Sequence, residues 1–378
     1  MTDVAAVIFH PPSEADGPVQ RVGEARTAAC RDLIARLREA RLEPIVVISH
    51  AAPESSPFPD VETRSIEAQV PFHFGEQLKD FLEQRRQEGL LYFGSGSGFL
   101  LSADEIERLV SFASRPEAGG LFNNFYSCDF AALSNARRLL EIPLPRVDNP
   151  LGFSLADAEI PCWEMQRNAR TQFDIDTPTD LLVLRASEWG GPFIRSFLDG
   201  LDLVHPHLDR LLALLRDRTA RVGFLGRVSP RTWSDIERDI ACRTSTLSEG
   251  RGMRTGSSAH APLLQQVIQE DGVEAFFDRL ATAVDGAILD TRPLLAVNGQ
   301  LPPSQIRFAS DLLRPSEVED PLWKAFTEAA LETEIPVVLG GHSLVNGGLY
   351  LLAEACWKGH DLPRRLHAKP FHPDKERS

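Results

Sequence analysis

Lysine is nearly missing from this chain. Of 40 basic residues in 378, five are Lys, and none precedes Lys79. Arg is therefore the default cation, and its presence at any one position says little. Positive charge is short overall: the net charge of −14 disfavours nucleic acid and anionic membrane as partners. No apolar run reaches 18 residues and no signal-peptide pattern opens the chain, so no membrane partner is expected and the expected location is cytoplasmic. Cys30, Cys128, Cys162, Cys242 and Cys356 lie far apart, with no Cys-x-x-Cys, which argues against a zinc site or a disulfide framework. No internal repeat recurs at a fixed period, and no pattern reports on oligomeric state.

What is present is ordinary globular composition, with 43% hydrophobic and 25% charged residues. The length suggests two domains. Val4–Phe9, Pro44–Ser49 and Leu90–Phe93 are apolar runs that read as buried parallel strands. Between them, 24–40 and 74–86 have helical periodicity, with a polar loop over 10–23 and a Pro/Ser-rich loop over 51–59. Ser102-Ala-Asp-Glu reads as a capping box opening a helix through Phe112. Residues 120–125 read as a strand and 129–140 as a helix. This alternation predicts an α/β sandwich with a mostly parallel sheet, whose ligands sit at the carboxyl ends of the strands. Gly190-Gly191-Pro192 breaks the pattern, so the expected domains are 1–190 and 191–378. In the second, strands are expected at 222–225, 287–289, 294–297 and 336–339. Helices are expected at 195–218 with a break near Pro206, at 234–242, at 263–284 as one long helix or a broken one, and at 321–331 and 349–357. The basic tail from Leu362 reads as poorly ordered.

The most informative stretch is Phe173-Asp-Ile-Asp-Thr-Pro-Thr-Asp-Leu-Leu. A strand over 173–176 runs into a helix with Thr177 as N-cap and Pro178 in the first turn. Period-two alternation puts Asp174 and Asp176 on one face. Two such carboxylates can hold a divalent cation against a phosphate, or be solvated acids at a strand end.

This segment resembles the Asp-x-Asp-Thr-Pro-x-Asp-Leu ending of the small nucleotidyltransferases, such as the molybdopterin and phospholactate guanylyltransferases. The likeness covers about the first 185 residues as an order of elements, and this ending in letters. It implies a nucleotidyltransferase-like, Rossmann-like three-layer first domain. It also implies an NTP or nucleotide-sugar-like small molecule as partner, Mg²⁺ as cofactor, and Asp174 and Asp176 as catalytic and metal-binding residues.

The chain departs from that family in two places. The loop after the first strand has Gly17, Gly23, Arg21 and Arg26 but no Lys, so phosphate contacts would fall to Arg21 and Arg26. The third strand ends in Gly94-Ser95-Gly96-Ser97, where the family usually carries a metal-binding Asp. Free backbone N–H groups there could still face a phosphate or sugar, or the loop could be a turn before the capped helix. Asn123 and Asn124 could read a base or sugar edge. Ser127 or Asp129 would cap the next helix.

The second half matches no recognised family. Pro336-Val-Val-Leu-Gly340-Gly341-His342-Ser343 is a strand and Gly-rich turn that could hold an anion, or simply turn tightly. Residues 216–254 carry nine Arg against five acids; Arg227, Arg243, Arg251 and Arg254 could grip an anionic ligand or form a solvated face. Asp290 and Asp311 are candidate salt-bridge partners for such Arg. The expected activity is Mg-dependent transfer of a nucleotidyl group from an NTP to a phosphorylated small molecule. The rival reading is a non-catalytic nucleotide, sugar or phosphate-binding or scaffold protein.

Overall fold

The computed structural model describes residues 3–11, 17–50, 56–58, 60–66, 72–250, 261–296 and 300–360. Two sheets organise them. The first uses strands β1 (Val4–His10), β2 (Ile45–Ser49), β3 (Glu62–Ser65), β4 (Gly89–Gly94), β5 (Gly119–Phe122), β6 (Phe130–Ser134) and β7 (Cys162–Glu164). Their order is β3-β2-β1-β4-β6-β5-β7. β3, β2, β1 and β4 run parallel, and β6 is antiparallel to both β4 and β5. The second sheet is all parallel, in the order β11-β10-β8-β9, from β8 (Arg221–Gly226), β9 (Arg243–Ser248), β10 (Gly286–Asp290) and β11 (Val337–Gly340).

The apolar runs form the central strands because both their faces are covered. Every residue of β1 is buried, with Ala5, Val7 and Phe9 in one apolar cluster and Val4, Ala6 and Ile8 in another. The second of these clusters continues without a break into Val222 and Phe224 of β8, Ile288 of β10 and Val338 of β11, so the two sheets share core. Edge strands β3 and β9 are polar and largely exposed, which is why no apolar run announces them.

Several local expectations are corrected. Residues 129–140 are not a helix: β6 forms there, followed by a 3₁₀ turn over Ala136–Glu141, because pairing with β4 and β5 overrides local propensity. The 294–297 strand is instead the end of a helix over Thr291–Leu295, capped by the Asp290 carboxylate on Arg292 N; Val297 lies outside the described residues. Of the two readings open for 263–284, one long helix or a broken one, the second holds: the break is at Gly272, where φ is +90°. Much of the 51–59 loop and the tail from Leu362 also lie outside the described residues. Among those described, no helix is long and apolar enough to cross a membrane.

Candidate functional site

β1 and β4 are adjacent parallel strands whose chain connections leave in opposite directions along the sheet, a topological switch point. Their carboxyl ends, His10 and Gly94, open into a cleft. β6 runs the other way, so the start of β6 reaches the same edge, with Phe130 opposite Phe93. That antiparallel pairing delivers Asp129 beside the Gly94–Ser97 loop: Gly94 N–H and Ser97 Oγ donate to the Asp129 carbonyl at 2.9 and 3.1 Å.

Residues 173–176 form no strand, contrary to expectation, although the segment begins and is followed by extended residues at Phe173 and Thr177. They lie along the loop after β4, with Ile175 N–H donating to Gly96 O at 3.1 Å. The expected alternation still operates. Phe173 and Ile175 are buried, while Asp174 and Asp176 line the cleft. The helix that follows, Pro178–Ser187, starts as its letters suggest, with Thr177 as N-cap and Pro178 in the first turn; the structure adds Asp180, which completes a capping box.

The cleft has two chambers. One, of about 640 Å³, is polar and lies between the carboxyl edges of the two sheets; it is lined by Asp174 and Asp176 and, opposite, by Arg227, Arg292, Arg307 and His342. The other, of about 400 Å³, has Phe9, Phe72, Phe74 and Tyr92 in its walls and Ser95, Gly96 and Ser97 in its lining. His10, Pro11, Arg26, Asp129, Asp148 and Asp174 line both and mark their junction.

Charge at the junction is frustrated. Burial, Asp176 and Asp129 push the Asp174 carboxyl well above its usual range. Burial, with Asp148 and Asp176 adding repulsion, raises Asp129 to about 7, and burial raises Asp148. Asp148 accepts a hydrogen bond from Tyr92 Oη. The cation against this ledge is Arg26, whose Nη2 is 3.5 Å from Asp176 Oδ1 and whose Nε donates to Ile175 O at 2.7 Å. His10 is held neutral, its pKa lowered to about 4 by burial and Arg26. Its Nε2 meets Thr27 Oγ1 at 3.2 Å, while Nδ1 is buried without a partner, as is Ser95 Oγ.

The other candidates divide between structural roles and the chamber lining. Arg21 pairs with Glu24 on an exposed helix face and lines neither chamber, and Arg26 is committed to the acid ledge. Asn123 is a latch: its Nδ2 donates to Asp129 Oδ2 and Thr171 O, and its Oδ1 accepts from Asp129 N and Phe130 N. Asn124 Oδ1 accepts from Tyr126 N and Arg167 Nη2. Gly340 packs against Leu344 and lines neither chamber, whereas Gly341 and His342 do line the polar one. Ser343 Oγ donates to the Asp174 carbonyl and accepts from Asp174 N, so it is a brace and not a nucleophile. Arg227 forks onto buried Asp290, one of its candidate salt-bridge partners, and Arg243 lines neither chamber. Arg251 and Arg254 lie outside the described residues.

Asp129, Asp148, His10, Arg292 and Arg307 were not expected at the site. Asp129 looked like a helix cap, and Asp148 carried no signal beyond the Asn149-Pro150 turn beside it. For a cation, the oxygen donors have suitable chemistry, since carboxylates in excess attract hard divalent ions. Among the described residues, however, no group of three or more His, Cys, Asp or Glu is arranged to hold a metal. Any cation here would bind through one or two carboxylates plus oxygens of a ligand, the usual mode for Mg²⁺ at phosphates.

No protein-family model matches the chain, and no curated protein sequence matches it. Among solved structures, a nucleotidyl transferase from Methanothermobacter thermautotroptrophicus aligns over 51% of this chain and 98% of its own, at 15% identity and a TM-score of 0.39. A 4-diphosphocytidyl-2C-methyl-D-erythritol synthase from Anaerococcus prevotii DSM 20548 aligns over 47% and 94%, at 12% identity and a TM-score of 0.34. Values this low carry neither substrate nor chemistry across to this chain.

Proposed function

We propose that this chain is a nucleotidyltransferase-like enzyme that moves a nucleotidyl group from an NTP to a phosphorylated small molecule with Mg²⁺. Residues 1–190 would carry the nucleotide and 191–378 the acceptor. One observation carries the reading: Asp129, Asp148, Asp174 and Asp176 converge with Arg26 where an aromatic chamber meets a polar one. The loop after β4 lacks a carboxylate in sequence, yet Asp129 occupies that edge in space.

The chain's own residues divide the work. The aromatic chamber suits a planar base, with Ser95 Oγ available to its polar edge. Asp174 and Asp176 would hold the ion, Ser343 fixes the backbone of Asp174, and Arg26 keeps the ledge from repelling the phosphates. Bound Mg²⁺ supplies neutralisation of the triphosphate charge. An acceptor oxygen then attacks the α-phosphorus in line; the new P–O bond forms as the α–β bridging bond breaks, and pyrophosphate leaves.

The second reading is a nucleotide- or phosphate-binding protein without transfer. The carboxylate-free Gly94–Ser97 loop and the commitment of Arg26 to Asp176 favour it. Thermal shifts with a panel of NTPs, with and without Mg²⁺, separate the two. A Mg²⁺-dependent shift that Asp176→Asn abolishes, with pyrophosphate release, supports transfer. A metal-independent shift without release supports binding alone, and no shift with any NTP defeats both.

A further inference from the structure

We infer that the carboxyl edge of the second sheet is an oxyanion subsite, built from Arg227, Arg292, Arg307 and His342, that takes the phosphate ester of a small molecule. Naming that molecule as the acceptor rests on the proposed function; the binding itself does not.

The polar chamber is electrically lopsided. Its first-sheet side carries Asp129, Asp148, Asp174 and Asp176, offset by Arg26, while the opposite side carries three guanidinium groups and His342. The acids that pair with Arg227 and Arg292 sit behind them, Asp290 at the end of β10 and Asp311 at the end of the Ser304–Asp311 helix. Asp290 and Asp311 are fully buried, and neither lines the chamber.

These acids set the forks in place. Arg227 Nε and Nη2 reach the two oxygens of Asp290 at 2.6 and 3.1 Å. The return of the chain that makes this possible needs Gly226, at φ +108°, where a Cβ would lie 2.7 Å from Asp290 Cβ. Arg292 grips Asp311 through Nη1 and Nη2, both at 2.7 Å, and Nη1 also reaches Thr291 Oγ1 at 2.7 Å. Its side chain is only 8% exposed and lines the chamber. Arg307 donates from Nε to Pro302 O and from Nη2 to Ser304 Oγ, and borders the same space.

Burying the Arg292–Asp311 pair and the Asp290 carboxylate is a costly way to hold a fold together, since apolar packing does as well or better. It is an effective way to hold guanidinium groups rigidly at the wall of a cavity, where their positive charge faces an oxyanion and little freedom is lost on binding. The acids opposite would repel a phosphate and so orient the molecule, with its anionic end on the second sheet and its far end at the ledge.

The test is calorimetric titration of the full chain at constant ionic strength with glycerol 3-phosphate, inorganic phosphate and glycerol, using wild type, Arg307→Gln, Arg307→Lys, His342→Gln and Asp176→Asn. Expected are binding of glycerol 3-phosphate but not glycerol, at least tenfold weaker binding in Arg307→Gln, and partial rescue in Arg307→Lys. Inorganic phosphate binding as tightly as the ester would assign the subsite to free phosphate and overturn the ester assignment. Should Arg307→Gln fail to fold, His342→Gln carries the comparison, with a loss of at least threefold expected. No binding by wild type, or equal affinity in wild type and the Arg307 and His342 variants, would overturn the subsite. Mg–NTP binding by the same proteins tests the proposed function separately: it should survive Arg307→Gln and fail in Asp176→Asn.

Discussion

Ser343 holds both polar groups of the Asp174 backbone: its hydroxyl donates to the Asp174 carbonyl and accepts from the Asp174 N–H at 3.3 Å. A residue from the turn after β11 therefore sets the geometry of a carboxylate at the edge of the first sheet. Nearby, a Cβ on Gly347 would lie 2.3 Å from Gln172 O and Phe173 Cα, so the Gly347–Ala355 helix presses directly on the segment leading into Asp174. Ser343→Ala removes the brace and leaves two backbone groups unsatisfied. The expected loss is about 1–3 kcal/mol in denaturant unfolding. Mg–nucleotide binding should weaken as well, measured by titration, because the carboxylate loses its fixed position.

Gly96→Ala tests the ledge from the other side. An ideal Cβ there lies 2.4 Å from Asp174 Oδ1 and 3.1 Å from Ile175 O, and the latter is backbone that cannot swing away. The carboxylate must rotate out, at a cost of about 1–3 kcal/mol. A Mg²⁺-dependent nucleotide shift should fall at least tenfold in apparent affinity while circular dichroism stays native. Unchanged affinity would remove Asp174 from the proposed metal pair.

The parts of the site that were legible in sequence are those set by local chemistry. Thr177 and Pro178 open a cap whose bonds all fall within four residues, so their letters specify it; the structure adds Asp180, which completes it. The alternation of Phe173, Asp174, Ile175 and Asp176 likewise survives without a strand, in a segment that begins and is followed by extended residues. Asp129 was illegible because its position depends on the antiparallel pairing of β6 with β4, a contact that no neighbouring residue signals. Asn123 was misread for the same reason: its amide faces Asp129 and Thr171, not the cavity. The opposing of the two carboxyl edges was also invisible, because it rests on packing between the helices that follow Thr177 and Asn346.

The Arg292–Asp311 pair predicts an asymmetric mutational response. Asp311→Ala strands a buried guanidinium and should destabilise the protein by about 3–5 kcal/mol. The double replacement Arg292→Met with Asp311→Leu removes both charges and should recover most of that loss. Denaturant unfolding of the two single variants and the double closes the cycle. If the double regains stability yet no longer binds glycerol 3-phosphate, the pair is there for the ligand.

The same frustrated charges set a pH dependence with a definite sign. Asp129 is raised to about 7 and Asp180 to about 8, in both cases mainly by burial, so in the folded chain they hold protons that the unfolded chain releases near pH 4. Stability from these groups is full below about pH 4 and is lost progressively up to about 7 and 8, because in that window the native state binds more protons than the unfolded one. His10, lowered to about 4, and His205, lowered to about 3, act oppositely, but only below the unfolded histidine value near 6.5. Between pH 6.5 and 8 the carboxylates therefore act without that opposition, and the melting temperature should fall as pH rises. Asp180→Asn should flatten this slope: it removes a titrating carboxyl while its side-chain oxygen can still accept from Asp176 N, Thr177 N and Thr177 Oγ1. Mg²⁺ should raise the melting temperature more at pH 8 than at pH 6, since the ion competes with protons for Asp129 and Asp174. A melting temperature that rises across this window in the wild type would mean the ledge is already ionised in the folded chain, and the Mg²⁺ effect should then be independent of pH.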